Sequence, residues 1–328
     1  MEKFTYVPPQ NKEPKIIKDW QRKGIFEKID KAHFNLDKTD LVSTRIIKKL
    51  GITDNYLLKI VDVEIGIKRK VLLHNELEKL DKSRYQRKKE IGKQKNIVFK
   101  SLTQDVETSQ KCCKFLEEIK DQPKEIERFW EDFQGYYHNK DFKNDKYSIL
   151  APMAFKQRME KMKIGFNFNE PEKDVRDGID AFIHINGEEI PCQIKSCNID
   201  LKPGPSKNEI QTRKEIQDRI GYLEHNLIKV IPGSLADQIK DAQIKKEPWE
   251  NSPYAIKITK EMKKFRKKVF IATKANKALE ILIPAGEIEN PYTGIKENQL
   301  NNDGGMGEWA LNNFEKQFDN KVIKRLQF

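Results

Sequence analysis

Residues 174–197, DVRDGIDAFIHINGEEIPCQIKSC, contain a carboxylate, an amide and an ammonium at a spacing that suits chemistry on a phosphate ester. The first half alternates residue by residue, which predicts a strand with two different faces. One face carries Ile179, Ala181, Ile183 and Ile185, and the other carries Asp180, Phe182 and His184. In the second half, Gln193 and Lys195 alternate with Ile190, Cys192 and Ile194. The Asn186-Gly187 pair between the halves predicts a tight antiparallel turn.

We expect Asp180, Gln193 and Lys195 to meet if the apolar faces of both strands pack on one layer of helices. Asp180, the Gln193 side-chain oxygen and the Ile194 carbonyl are hard ligands of the kind that Mg²⁺ prefers, with Mn²⁺ as a substitute. Such an ion activates a bound water and neutralises charge on phosphate oxygens. Lys195 would orient that water or stabilise the charge at phosphorus. The alternative is an ordinary hairpin with a solvated polar face.

The order of an acid, a hairpin and [DEQ]-x-K resembles the pattern of the PD-(D/E)xK nuclease superfamily, which includes many restriction endonucleases and Holliday-junction resolvases. The GID at 178–180 and the QIK at 193–195 are most similar to the glutamine-bearing branch typified by Mrr-like restriction enzymes. The resemblance implies that Asp180 is a metal ligand, that Gln193 occupies the second acidic position, and that Lys195 is the catalytic lysine.

The resemblance also implies a fold and a further acid. The fold is α/β (α+β), a restriction-endonuclease-like mixed sheet flanked by helices, over residues 147–290. The superfamily often supplies a glutamate from the helix before the strands, and here MAFKQRMEKM offers Glu160, either as a catalytic residue or as a surface charge. Asp177 is another possible ligand or a turn-forming acid, and His184 is either structural or catalytic.

The composition favours a polyanionic partner. Lys and Arg number 63 against 51 Asp and Glu, giving a formal net charge of +12 with 37% hydrophobic residues. No apolar run approaches the ~18 residues of a membrane span. The N-terminal sequence lacks the apolar core of a secretory signal, and the four cysteines do not form a disulfide or zinc pattern. We expect a reduced, cytoplasmic protein with no membrane partner and no small-molecule cofactor.

The chain divides by sequence into a basic arm (1–24), a helix-rich DNA-recognition domain (25–146) and a nuclease domain with a C-terminal helix (147–328). Within the second part, residues 61–73 predict a hairpin around Gly66, and the periodicity predicts helices at 104–120 and after Pro123. The polar stretch 138–146 predicts a linker.

The last part alternates helical and extended segments. Helices are predicted at 151–163 and along the C-terminal apolar positions Leu311, Phe314, Phe318, Val322 and Leu326. Strands are predicted at 164–168, 178–185, 188–195, 268–273 and 279–284, which is typical of an α/β domain.

Four segments could contact DNA. Residues 41–61 partly match a helix-turn-helix, whose second helix would present Thr53, Asn55 and Lys59, although a plain helical pair is the alternative. Three basic stretches could follow phosphates or form solvated helix faces. They are 82–100 (Arg84, Arg87, Lys88), 206–219 (Lys207, Arg213, Lys214) and 257–270 (Lys263, Arg266).

The sequence therefore predicts a Mg²⁺-dependent endonuclease that cleaves double-stranded DNA. A type II restriction endonuclease acting as a homodimer is the leading interpretation. Two alternatives remain open. One is a nuclease that requires a DNA structure or modification, of the resolvase, Mrr-like or transposon end-nicking kind. The other is a nuclease-fold protein that binds nucleic acid without cutting it.

Overall fold

The computed structural model describes residues 27, 58–59, 61–63, 65–70, 72–73, 88–136, 142–199, 209–232, 252–273, 275, 277–289 and 296–324. The chain divides into two compact units, Met1–Arg69 and Lys70–Phe328. The boundary lies upstream of residue 146, so the helices that precede the first strand belong to the same unit as the sheet.

Residues 61–63, 65–70 and 72–73 are helical, so the predicted hairpin around Gly66 is wrong. The prediction rested on apolar residues at every second position, which include Val61, Val63 and Ile65. These residues are buried, but Arg69 and Lys70 are buried as well. Because burial extends around most of this helix, the alternation did not mark one buried face of a strand.

In the part of the chain that the structure describes from residue 88 to the first strand, there are three helices: α1 (Lys88–Glu118), α2 (Pro123–Tyr136) and α3 (Phe142–Lys161). Helix α2 is the helix predicted after Pro123, and the apolar and aromatic stripe at its helical spacing is core, because Ile126, Phe129, Trp130 and Phe133 are all buried. Tyr137, the last member of that stripe, lies outside the described residues. Helix α3 begins inside the predicted linker, where Asp145 pairs with Lys70 at 3.2 Å and the Lys146 ammonium lies 4.9 Å from the Trp130 ring centroid. Residues 142–146 are therefore part of a helix instead of a linker, whereas residues 138–141 lie outside the described residues.

A five-stranded mixed sheet forms the centre of the second unit. Its strands are β1 (Gly165–Phe168), β2 (Ala181–Ile185), β3 (Glu188–Asn198), β4 (Ile228–Pro232) and β5 (Lys277–Ala285), in the order β1-β2-β3-β5-β4. Strands β1, β2 and β3 form an antiparallel meander, β3 pairs with β5 in parallel, and β4 closes the edge antiparallel to β5. The predicted α/β class with a mixed sheet flanked by helices is confirmed.

Between these strands the described residues form three further helices: α4 (Pro171–Asp177), α5 (Glu209–Asn226) and α6 (Pro253–Thr273). On β3, Ile194 lines a cavity shared with α3, whereas the next residue, Lys195, contacts Glu261 of α6. Since consecutive strand residues point to opposite faces, α3 and α6 cover opposite faces of the sheet.

One prediction about this region is wrong, and one strand was missed. Residues 268–273 end α6 instead of forming a strand, because Phe265 and Val269 extend the helical stripe that packs against Ile179 and Ala278. Strand β4, with the sequence IKVIP, was missed, because the sequence analysis predicted no strand between residues 195 and 268.

The chain continues through a short hairpin, β6 (Glu287–Glu289) and β7 (Lys296–Asn298), to α7 (Glu308–Phe318) and a π-helical turn (Asp319–Ile323). The predicted apolar positions Phe314, Phe318 and Val322 are buried, which confirms the C-terminal helix. Leu326 lies outside the described residues.

Candidate functional site

Asp180 is positioned by the connection between α4 and β2. Helix α4 ends at Gly178, whose φ of 72° is left-handed and whose N–H donates to the Asp174 carbonyl at 2.6 Å. The Asp180 N–H donates to the Cys192 carbonyl at 3.0 Å, and the Asp180 carbonyl accepts from the Asn169 N–H at 3.0 Å. These two hydrogen bonds fix the backbone N–H and carbonyl of Asp180 just before β2 begins.

The predicted alternation does not extend to residue 179. Ile179 packs with Phe265 and Val269 of α6, and Phe182 packs against the same cluster. Two residues three apart cannot share a face of a regular strand, so the assignment of Ile179 to the face of Ala181 is wrong. The irregular backbone before Ala181 allows the Asp180 side chain to line the cavity on the α3 side instead.

The Asp180 carboxylate lies against the next strand and against a second carboxyl group. Its Oδ2 atom accepts a hydrogen bond from the Ile194 N–H at 2.5 Å. Asp174, on α4, is hydrogen-bonded to Asp180. Burial, together with the nearby Asp180 charge, raises the pKa of Asp174 to about 8. Burial also raises the pKa of Asp180 to about 6, although the Ile194 N–H, Asp174 and the Lys195 charge lower it. The pair therefore shares a proton near neutral pH.

A cavity of about 330 Å³ opens beside this pair, between the sheet and helices α1 and α3. Four carboxyl groups line it, from Asp105, Asp145, Asp174 and Asp180, together with the Lys70 ammonium. Lys70 pairs with Asp105 at 3.6 Å and Asp145 at 3.2 Å. One ammonium thus serves two carboxylates, and the cavity lining keeps a net negative charge, which suits a cation better than a bare phosphate.

Gln193 and Lys195 face α6, on the other side of β3. The Gln193 Nε2 donates to the Gly178 carbonyl at 3.3 Å, and its Oε1 is buried without a hydrogen-bond partner. The Lys195 Nζ lies 2.7 Å from Glu261 Oε2 and 3.5 Å from Glu280 Oε1. Among the described residues, no hydrogen bond or ion pair joins the Asp180 carboxylate to the side chain of Gln193 or Lys195. The Lys195 charge nevertheless lowers the pKa of Asp180.

Two acids near Lys195 were missed by the sequence analysis. Glu280 on β5 is 0% exposed, and its Oε1 lies 3.5 Å from the Lys195 ammonium. Burial raises its pKa to about 7, although the Lys195 and Lys229 charges lower it. A charged residue inside the apolar run LEILIP was the signal that could have identified it. Glu261 gave no such signal, because it lies within a helix rich in charged residues.

The other residues considered for the site, Glu160, Asp177 and His184, pair with residues other than Asp180 and Lys195. Glu160 is exposed near the end of α3 and pairs with Lys156 at 3.4 Å. Asp177 pairs with the exposed Arg176 at 3.0 Å. The His184 Nε2 is hydrogen-bonded to the Asn167 Nδ2 at 3.0 Å. No hydrogen bond or ion pair among the described side chains connects Glu160 to Asp180.

The proposed DNA-contacting residues are described only in part. Arg213 and Lys214 are exposed on α5, Lys263 is exposed on α6, and Lys59 is exposed on a helical residue of the first unit. Arg266 donates to the Pro232 carbonyl at 3.3 Å. Lys88 is the first residue of α1, but its side chain is not among those described. The remaining residues lie outside the described residues altogether: Thr53, Asn55, Arg84, Arg87 and Lys207.

Comparison with protein-family models, curated protein sequences and solved structures finds no match to this chain. None of the helices in the described ranges combines the length and hydrophobicity of a membrane span. All four cysteines are buried free thiols.

The donor set can be tested against Mg²⁺ on chemical grounds. No group of three or more His, Cys, Asp and Glu side chains in the described part of the chain has metal-binding geometry. Mg²⁺ does not require one, because it keeps several waters and uses one or two carboxylates. Burial raises the pKa of both Asp174 and Asp180, a cost that a cation would relieve. These residues fit a partly hydrated divalent ion.

Proposed function

We propose that this protein is a Mg²⁺-dependent endonuclease that hydrolyses phosphodiester bonds of double-stranded DNA. One observation carries the proposal. The Asp180 carboxylate is held 2.5 Å from the backbone of Ile194, between the two polar residues of the Gln193-Ile194-Lys195 sequence, at the centre of a mixed sheet. Stable folding does not require an acid pair and a lysine at the centre of a sheet, whereas phosphodiester hydrolysis uses both.

Each residue has a role in this proposal. Asp180 and Asp174 would hold the ion from the cavity side of the sheet, and Mn²⁺ would substitute for Mg²⁺. The Gln193 oxygen, expected from the sequence to join them, faces α6 on the other side of β3 and has no part in this ion site. When bound, the ion would supply an activated water and neutralise phosphate charge. Lys195, 2.7 Å from Glu261, is held at a fixed place, where its ammonium can stabilise charge on the phosphate.

The assignment to type II restriction endonucleases of the PD-(D/E)xK superfamily is the finer part of the proposal. It rests on the resemblance of the GID and QIK segments and on the antiparallel meander followed by a parallel strand. A homodimer is proposed because a duplex cut needs two sites related by symmetry.

The test is cleavage of supercoiled plasmid DNA with Mg²⁺ by the full chain. Wild type should nick and linearise the plasmid, whereas Asp180→Ala and Lys195→Ala should lose about 100-fold or more in rate, the typical loss of a transition-state contact. Glu188→Ala, on the exposed hairpin end, should cut like wild type. The proposal fails if wild type cuts no substrate, or if both variants retain full activity while circular dichroism shows them folded.

A second candidate is a nuclease-fold protein that binds nucleic acid without cutting it. The observation in its favour is Gln193 where an acid would supply charge to the metal. Unmodified, methylated and branched DNA in the same assay distinguish two further outcomes. Cleavage of only modified or branched DNA would support a modification-dependent, resolvase-like or end-nicking enzyme. Binding of all three without cleavage would support the second candidate.

A further inference from the structure

The cavity beside the Asp174–Asp180 pair contains a cation that belongs to the chain itself. The Lys70 ammonium lines this cavity and lies 3.6 Å from Asp105 and 3.2 Å from Asp145. Lys70 belongs to the same compact unit as the sheet, and its side chain is only 6% exposed. A buried ammonium is stable only where carboxylates or other acceptors compensate its lost hydration. The two ion pairs therefore fix the position of this charge inside the cavity.

The four carboxylates of the cavity form two pairs. Asp105 on α1 and Asp145 on α3 are both held by Lys70. Asp174 and Asp180 are hydrogen-bonded to each other. Among the described residues that line the cavity, Lys70 is the only one with a positive charge. Within this lining, one pair of carboxylates therefore has a cation between them, whereas the other pair does not.

Four carboxylates in one cavity are enough for two metal ions. Many enzymes that hydrolyse phosphate esters hold two ions about 3.5–4 Å apart, which together stabilise the attacking and leaving oxygens. Mg²⁺ needs only one or two carboxylates, because it keeps several of its waters. In this cavity, the Lys70 ammonium takes up one of the two carboxylate pairs. Since the ammonium is part of the chain, it cannot dissociate as a metal ion can.

We propose that Lys70 occupies the place of a second metal ion, so that the cavity binds a single divalent cation, at Asp174 and Asp180. This inference rests on the proposed function, and it names the positive charge that accompanies the ion. Lys195 contacts Glu261 on the other side of β3, so Lys70 supplies positive charge on the ion's own side of the sheet.

A structural clamp is the other role that the same contacts allow. Because Lys70 joins α1 to α3 through its two ion pairs, the loss of a clamp would lower the stability of the protein. It would not change the number of ions that the cavity binds. The number of bound ions therefore distinguishes the two roles.

Isothermal titration calorimetry with MnCl₂, without DNA, counts the ions bound by the full chain. Wild type should bind about one ion per chain and Lys70→Met about two, because the substitution takes the ammonium away from Asp105 and Asp145. Lys111→Met is the matched control. Lys111 pairs with Glu107 at 2.9 Å on α1 and lies outside the described lining of the cavity. This control removes the same charge and should bind one ion with unchanged affinity.

Asp145→Asn tests the inference with Lys70 in place, which matters if Lys70→Met does not fold. Because Lys70 and not the ion holds Asp145, this variant should still bind one ion. Its loss of Mn²⁺ affinity should be smaller than that of Asp180→Ala, which should lose about 10-fold or more. Circular dichroism shows which of these proteins are folded.

Three results would overturn the inference. Wild type could bind two ions or none, or a folded Lys70→Met protein could still bind only one. Equal losses of Mn²⁺ affinity in Asp145→Asn and Asp180→Ala would make Asp145 a ligand of the ion, which also contradicts the inference.

The nuclease proposal fails in a different way. If plasmid cleavage depends on Asp180 but wild type binds two ions, the role of Lys70 is wrong and the nuclease proposal stands. If the ion count changes with Lys70 as expected but no nucleic acid is cut, the role of Lys70 stands and the nuclease proposal fails.

Discussion

The carboxyl groups of Asp174 and Asp180 should make the stability of the protein depend on pH. Their pKa values, about 8 and about 6, both exceed the ordinary value of 3.8. Between about pH 4 and about pH 8, the folded protein therefore binds more protons than the unfolded chain. The free energy of unfolding should fall as pH rises from about 4 through about 8, because the buried pair must then ionise.

We expect Asp174→Asn to remove much of this dependence. At pH 8.5 the variant should be about 1–3 kcal/mol more stable than wild type, because it no longer buries an ionised group. At pH 5 the two proteins should differ little, since Asp174 is protonated there. Urea unfolding in EDTA at the two pH values measures the difference.

Asp177→Asn is the matched control for that substitution. Asp177 lies on the same helix but pairs with the exposed Arg176 at 3.0 Å. Its substitution should change stability equally at both pH values. Equal pH dependence of Asp174→Asn and wild type would show that Asp174 does not hold the proton.

At the residue scale, the sequence identified the groups whose type alone signals chemistry. Asp180 and Lys195 stood out because polar residues alternate with isoleucines beside a predicted turn. Asp174 did not, because its burial depends on the packing of α4 against α1, which no local pattern encodes. The same reason applies to Glu261, whose partner Lys195 is 66 residues away.

At the element scale, Gly178 links helix α4 to the site. Its φ is 72°, a conformation that costs other residues about 1–2 kcal/mol. A Cβ there would lie 3.7 Å from Lys268 Cδ and 3.9 Å from Gln193 Nε2, so space is sufficient. We expect Gly178→Ala to cost about 1–2 kcal/mol in chemical denaturation and to lower plasmid cleavage, because the backbone that directs Asp180 would shift.

Gly187→Ala gives the matching control at another turn. Asn186 and Gly187 have φ values of 52° and 79°, the two positive angles of a tight hairpin turn, and a Cβ at Gly187 would meet nothing within 4 Å. This variant should lose similar stability but cut DNA at the wild-type rate. A Gly178→Ala protein with normal cleavage would mean that the α4–β2 connection does not position the site.

Elements were predictable where local pattern and tertiary packing agree. Strands β1, β3 and β5 follow from short apolar runs bounded by turns. Residues 61–73 were predicted as a hairpin because Val and Ile are frequent in strands. The described residues of this segment are helical instead, and most of them are buried. Residues 268–273 were predicted as a strand because they are mostly apolar. They are the last residues of a longer helix, and their Ile271 is 77% exposed instead of buried.

At the scale of the whole molecule, part of the excess positive charge lies on α6. Exposed lysines occur on this helix at Lys257, Lys260, Lys263, Lys264 and Lys268. Three of them, four residues apart, form a stripe along one face: Lys260, Lys264 and Lys268. The stripe leads to the candidate site, because the Lys268 ammonium lies 3.9 Å from the place of a Cβ on Gly178.

If the stripe contacts phosphates, affinity for duplex DNA should depend strongly on salt. The logarithm of the binding constant falls with the logarithm of salt concentration by about 0.9 per phosphate contact. The double variant with Lys260→Gln and Lys264→Gln should bind more weakly, and its slope should be shallower by about 2. Fluorescence anisotropy with a labelled duplex from about 50 to 200 mM salt measures both quantities.

The control changes the same charge at a distance from α6. Lys296 and Lys316 are exposed on β7 and α7, so Lys296→Gln with Lys316→Gln removes two positive charges elsewhere. If the net charge of +12 acted only as a diffuse field, both double variants should lose affinity equally. A loss confined to the α6 variant would place the phosphate backbone along this helix, beside the residues proposed to cut it.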